Sequence, residues 1–257
     1  MRRKPPAPPR GGPAKLGPMP VSPLRPPLGL LAVLAVSGPV LLFALITWQV
    51  VADGPLAGVD ERLSRALVHP DRFSELLADL GNVQVAGPVL VVALAYAAWH
   101  GRASGTARWW LPPLAAAVAM VLVPALVVPL KEWTDRPGTP AVPPATGYYP
   151  SGHTATAVVA YGAATLLLLG PLRRPAVRRA LVVLCAVLVL GTSYGLVRRG
   201  YHWPLDVVAS WCLGAVLLAG VRSVARRTPP GGSLPPPVSR STRRSSSGTP
   251  SPRTGPS

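Results

Sequence analysis

Six apolar stretches, each near the roughly 20 residues that cross a bilayer as a helix, constrain this chain more than any other feature. They occupy residues 28–51, 83–99, 109–130, 154–172, 180–197 and 204–221. Hydrocarbon offers no hydrogen bonds, so each segment must pair its own backbone groups, and the helix is how it does so. The predicted fold is all-α: a polytopic membrane protein whose six transmembrane helices form a bundle. Charge content agrees, since only 14% of the 257 residues are charged, against about a quarter in a soluble domain. Pro124 and Pro129 fall in the later half of the third span, where a kink is expected. Residues 53–80 are amphipathic instead. Leu63 and Leu67 are four apart, and Phe73, Leu76, Leu77 and Leu80 repeat at i, i+3, i+4 and i+7. This spacing predicts two short helices lying at the interface in the first outer loop, broken at His69-Pro70.

The membrane domain, 28–221, is flanked by segments 1–27 and 222–257, rich in Pro, Arg and Ser. Neither can bury a core, and both are expected to be disordered basic tails. In a six-span protein the tails share a side with loops 100–108 and 173–179. These segments hold most of the 26 Lys and Arg and none of the nine Asp and Glu. The positive-inside rule therefore predicts a multi-pass plasma-membrane protein with both termini cytoplasmic and the acidic loops outside. Trp48, Trp133 and Trp203 then mark the outer interface, and Trp99, Trp109 and Trp110 the inner one, as an aromatic belt does. The net charge of +17 gathers in tails and loops, without a basic stripe interleaved with aromatics, so nucleic acid is not an expected partner. Cys185 and Cys212 lie within apolar runs and read as small hydrophobes. His69 and His100 have no charged partner at helical spacing and read as loop histidines.

The chemistry-bearing residues gather at the outer ends of the spans. Tyr149-Pro150-Ser151-Gly152-His153-Thr154 leads into the fourth. Unpaired N–H groups at a helix N-terminus hold anions well. Gly152 admits a ligand close to the backbone, and His153 exchanges a proton near neutrality. Lys131, Arg136, Arg198, Arg199, His202 and Asp206 end or begin the third, fifth and sixth spans. Charges at membrane depth are costly, which favours a functional reading. With Pro204 suited to a first helical turn, His202 and Asp206, four apart, are predicted to share a helix face. Asp206 would then accept a hydrogen bond from one imidazole nitrogen. The other nitrogen is left as a nucleophile, and the carboxylate stabilises the cation formed on attack.

This array resembles the type 2 phosphatidic acid phosphatase family, lipid phosphate phosphatases related to the vanadium haloperoxidases, whose pattern is K-x6-R-P, P-S-G-H and S-R-x5-H-x3-D. Lys131 matches the first motif's opening, Pro150-Ser151-Gly152-His153 the second, and His202-x3-Asp206 the end of the third. The resemblance runs from about the second span to Val221. It implies an integral-membrane, metal-independent phosphatase without a cofactor, acting on a lipid phosphate or a polyprenyl pyrophosphate at the outer face. By the same resemblance His202 takes the phosphoryl group as a phosphohistidine and Asp206 orients it. His153 protonates the leaving group and then activates water, while Lys131, Ser151 and Gly152 hold phosphate oxygens. No carboxylate cluster offers a metal site.

Two positions depart from the pattern. Gly138 and Thr139 stand where the first motif has Arg-Pro, and Gly195-Leu196 where the third has Ser-Arg. Arg136, followed by Pro137, and Arg198 or Arg199 are the expected substitutes, because a planar guanidinium suits a transferring phosphoryl group. The alternatives are a phosphotransferase using the same intermediate, or a membrane protein that binds lipid phosphate without turnover. A soluble vanadate haloperoxidase is disfavoured by the apolar spans. Nothing in the sequence sets the oligomeric state.

Overall fold

The computed structural model describes residues 28–227, and the expectations for 1–27 and for 228–257 lie outside them. Among the described residues there are only helices: α1 (Leu28–Val51), α2 (Pro55–Leu67), α3 (Arg72–Asp79), α4 (Val83–Ala103), α5 (Leu111–Thr134), α6 (Gly152–Leu169), α7 (Pro175–Arg198) and α8 (Pro204–Arg226). From α4 onward each is long and apolar enough to cross a membrane. A sixth candidate is the Val36–Val51 part of α1, joined to α2 through an 87° bend. The predicted all-helical membrane bundle is the observed one.

The bundle is built around α6, which packs against α4, α5, α7 and α8. Its inward positions are small: Ala155, Ala157, Ala160 and Ala163 are fully buried. Lipid tails are as apolar as leucine, so membrane helices gain by close backbone approach, which small residues permit. A Cβ on Gly162 would collide with Leu218 of α8, and one on Gly214 with Val158 of α6.

Helix ends differ from the expected ones in ways that matter for function. α5 continues past Pro124 and Pro129 to Thr134, which places Lys131 in its last turn. α7 begins at Pro175, whose missing N–H has no use in a first turn, so Arg178 and Arg179 are helical rather than in a loop. α8 passes Val221 and ends at Arg226, where a cation meets the negative end of the helix dipole. His100 is likewise in the last turn of α4, stacked on Tyr96, and not in a loop.

The 53–80 segment forms the two predicted short helices, with their apolar residues facing away from the bundle. Leu63, Leu67, Phe73 and Leu76 are exposed, while Ala57, Asp60, Ser64, Ser74 and Ala78 are buried against the bundle. A helix at a membrane interface does this because its outer neighbour is lipid. Asp71 caps α3: its Oδ1 accepts from Ser74 N–H at 2.7 Å, and Ser74 Oγ accepts from Asp71 N–H at 3.1 Å. α3 then lies directly on α7. A Cβ on Gly195 would stand 2.5 Å from Ala78 N and 2.6 Å from Ser74 O.

Candidate active site

Asp206 sits at the third position of α8 and is fully buried. Its Oδ2 accepts from the N–H of Trp203, the residue capping α8, at 3.1 Å. The same oxygen lies 3.1 Å from His202 Nδ1. His202 therefore stands just ahead of the helix rather than on it, and the H-x3-D spacing works across the cap. A carboxylate only accepts, so in the neutral imidazole Nδ1 carries the shared proton and Nε2 keeps its lone pair. The other oxygen, Oδ1, accepts from Arg136 at 2.5 Å. Arg136 also donates to Asp60 Oδ2 at 2.8 Å, and its guanidinium lies over the Trp203 ring at 5.3 Å. Trp203 was expected in the outer aromatic belt. It is buried instead, with its indole N–H on Pro137 O at 2.9 Å, because its ring covers the Arg136 ion pairs.

The Pro-Ser-Gly-His stretch is pinned from three sides. Tyr149 is fully buried, with its hydroxyl 2.7 Å from Thr47 Oγ1 of α1, and burial pushes its phenol above the ordinary range. Ser151 N–H donates to Asp206 O at 3.2 Å, while Ser151 O accepts from Ser210 Oγ at 2.8 Å. Ser151 Oγ caps α6 by accepting from Thr154 N–H, which leaves its own proton to donate. The second and third motifs are thus locked together through backbone.

His153, in the first turn of α6, points from the exposed side of this junction. Its Nε2 lies 2.7 Å from Asn82 Oδ1, and Asn82 Nδ2 donates to Asp79 Oδ1 at 2.9 Å. The Asp79 contact fixes which end of the amide faces the ring, so His153 Nε2 is the donor and Nδ1 is left open. His153 is in electrostatic range of His202 and Lys131, and Lys131 is in range of Asp206. Lys131 Nζ donates to Gly147 O at 2.7 Å and lies over the Tyr148 ring, whose edge meets His202. Lys131, Ser151, Gly152, His153, His202, Asp206 and Arg136 are therefore gathered at one end of the bundle.

Arg198 and Arg199 are engaged elsewhere. Arg198 Nε donates to Asp71 Oδ2 at 2.9 Å, and Arg199 lies 3.8 Å from Glu75 and 3.1 Å from the Tyr201 hydroxyl. Both therefore tie α7 to α3. The Ser74 N–H and then Arg198 hold the Asp71 carboxyl down at about 2. The Tyr201 hydroxyl holds the Arg199 guanidinium above its ordinary value. The positions that depart from the family pattern have structural occupants. A Cβ at Gly138 would stand 2.7 Å from the Tyr148 ring, and Leu196 is buried beside the α3–α7 contact.

Asp60, Asn82 and Tyr148 did not stand out in the sequence. Asp60 did leave a signal: with Ala57 and Ser64 it forms a stripe of small and polar residues beside the leucine stripe of α2. Asn82 and Tyr148 left none beyond their nearness to a turn and a motif.

A buried His–Asp pair at the same end of a membrane bundle as a second histidine, a lysine and a helix N-terminus is an arrangement suited to phosphoryl transfer. Comparison with known proteins agrees with that class. Residues 112–229 match the model of the PAP2 superfamily, the family that the motifs resemble. A stretch of 74 residues is 47% identical to an undecaprenyl-diphosphatase of Sulfolobus acidocaldarius, covering 28% of this chain and 32% of that protein. The chain thus spans about a third of the length of that curated relative. In fold, 74% of the chain superposes on 96% of a transmembrane PAP2-type phosphatidylglycerolphosphate phosphatase of Bacillus subtilis, with a TM-score of 0.59 and 23% identity.

Proposed function

We propose that this protein is an integral-membrane phosphatase that hydrolyses a lipid phosphate or lipid diphosphate at the outer membrane face through a phosphohistidine on His202. The observation that carries the reading is the His202–Asp206 pair. Nδ1 is committed to a fully buried carboxylate, which leaves Nε2 as the nitrogen to attack. Nε2 attacks phosphorus, the bond to the leaving oxygen breaks, and that oxygen takes the Nδ1 proton of an initially doubly protonated His153. His153 then takes a proton from water, and the hydroxide displaces His202 to release phosphate. Lys131, the Ser151 hydroxyl and the Gly152 N–H are assigned to the phosphate oxygens, where charge builds in the transition state. Arg198 and Arg199, both held on α3, are left out of that set. These cations and N–H groups supply the charge stabilisation, and we assign the reaction no metal.

The likeness to an undecaprenyl-diphosphatase makes a polyprenyl diphosphate the first substrate to try. Purified protein in detergent should release phosphate from it in the presence of EDTA, and His202→Ala should not. Turnover by His202→Ala, or turnover that EDTA abolishes, would overturn the mechanism. For sidedness, Thr146→Cys in a background without Cys185 and Cys212 should react with an impermeant thiol reagent on intact cells, and Ala176→Cys should not. The reverse pattern would put the site in the cytoplasm.

A further inference from the structure

We infer that Asp60, on the interfacial helix α2, is a positioning residue for the reaction, acting through Arg136 on Asp206. The inference rests on the reading of His202 as nucleophile. Asp60 lies outside every motif of the resemblance, yet it is nearly as buried as Asp206. Both of its oxygens are used. Oδ2 accepts from Arg136 at 2.8 Å, and Oδ1 accepts from Leu205 N–H at 2.9 Å. Leu205 is the second residue of α8, directly before Asp206. One carboxylate thus grips both the arginine that holds Asp206 and the backbone that carries it.

Charge balance explains why a second carboxylate belongs there. Arg136 facing Asp206 alone would neutralise it and draw it away from His202. Shared between Asp60 and Asp206, the guanidinium leaves one negative charge in the group, next to the imidazole that becomes cationic on phosphorylation. Around the pair, His153 is in electrostatic range of His202, Lys131 is in range of Asp206, and the Tyr148 ring meets His202 at a steep angle. Asp206 is the carboxylate hydrogen-bonded to His202, so its orientation and charge decide how well Nε2 attacks. Arg136, expected at the phosphate from its place in the first motif, is assigned here to Asp206.

The test is a cycle of Asp60→Asn, Arg136→Gln and the double variant, with kcat and KM measured on monodisperse protein in detergent. Asp60→Asn should lower kcat by about tenfold to a hundredfold, the scale of lost outer partners of catalytic ligands, with KM within about twofold. A merely structural role would lower the yield of folded protein without this split. In the Arg136→Gln background, Asp60→Asn should lower kcat by less than about threefold, because the two residues act as a unit. Asp60→Asn keeps the Arg136–Asp206 pair and leaves no carboxylate without its cation, while the double variant returns the group to a single negative charge on Asp206, so the comparison of the two carries the test. Wild-type kcat in Asp60→Asn, or the full loss repeated in the Arg136→Gln background, would overturn the inference. If wild type turns over and His202→Ala does not, such a result removes only the role of Asp60. If wild type is inactive or His202→Ala is active, the parent reading fails and takes this one with it.

Discussion

The two histidines at the centre of the site are held by opposite means. His202 is buried and fixed by a charged chain: Asp206, Arg136 and Asp60, each link within 2.5–3.1 Å. His153 is exposed and fixed by a lighter chain, the Asn82 amide and Asp79, in the turn between α3 and α4. A group that forms a covalent bond to phosphorus benefits from one rotamer and a fixed counter-charge. A group that trades protons with a leaving oxygen and then with water needs an open face. Residue type alone does not separate these proposed roles, and the difference in surroundings is what supports assigning them.

That contrast can be broken most sharply at Arg136. Removing one member of a buried ionic group leaves its partners uncompensated and costs about 3–5 kcal/mol. Arg136→Ala should therefore lower stability by that order in a denaturant titration in detergent, and a loss below about 1 kcal/mol would contradict the buried-ion description. On the other histidine the effect should be smaller. Asn82→Ala removes two exposed hydrogen bonds, to His153 and to Asp79, each worth about 0.5–1.5 kcal/mol, so turnover should fall by about tenfold or less. A thousandfold loss would place Asn82 in direct contact with substrate.

The smallest effect belongs to the α3–α7 contacts. The Asp71 carboxyl is held down at about 2. Its contribution to holding α3 is complete above the ordinary carboxylate range near 4 and fades as pH falls toward 2. Asp71→Asn should remove that acid dependence of α3 docking, read by hydrogen exchange at Leu76–Ala78, while turnover at neutral pH changes by less than about threefold. A large kinetic loss would return Arg198 to the phosphate.

The bundle was legible because its rules are one-dimensional. Apolar length fixes the spans, and the leucine spacing in 53–80 fixes two interfacial helices with a break at His69-Pro70. The motif histidines, Asp206 and Lys131 stood out as candidates because the spacing of the resembled family names them. The partners of Arg136, Arg198 and Arg199 were not, because all three partner with residues in α2, α3 or a distant loop. Asp60 and Arg136 are 76 residues apart, and only packing of α2 against α8 brings them together. Trp203 looked interfacial by composition and is buried because Arg136 needs a cover.

The central claim is that His202, and not His153, carries the phosphoryl group. The direct measurement is rapid acid-free quenching of protein with a labelled, activated phosphate ester, followed by mapping of base-stable, acid-labile phosphohistidine. Wild type should show label on the peptide containing His202, and His153→Ala should accumulate more of it because water attack is slowed. His202→Ala should show none. Label on His153, or label persisting in His202→Ala, would contradict the account.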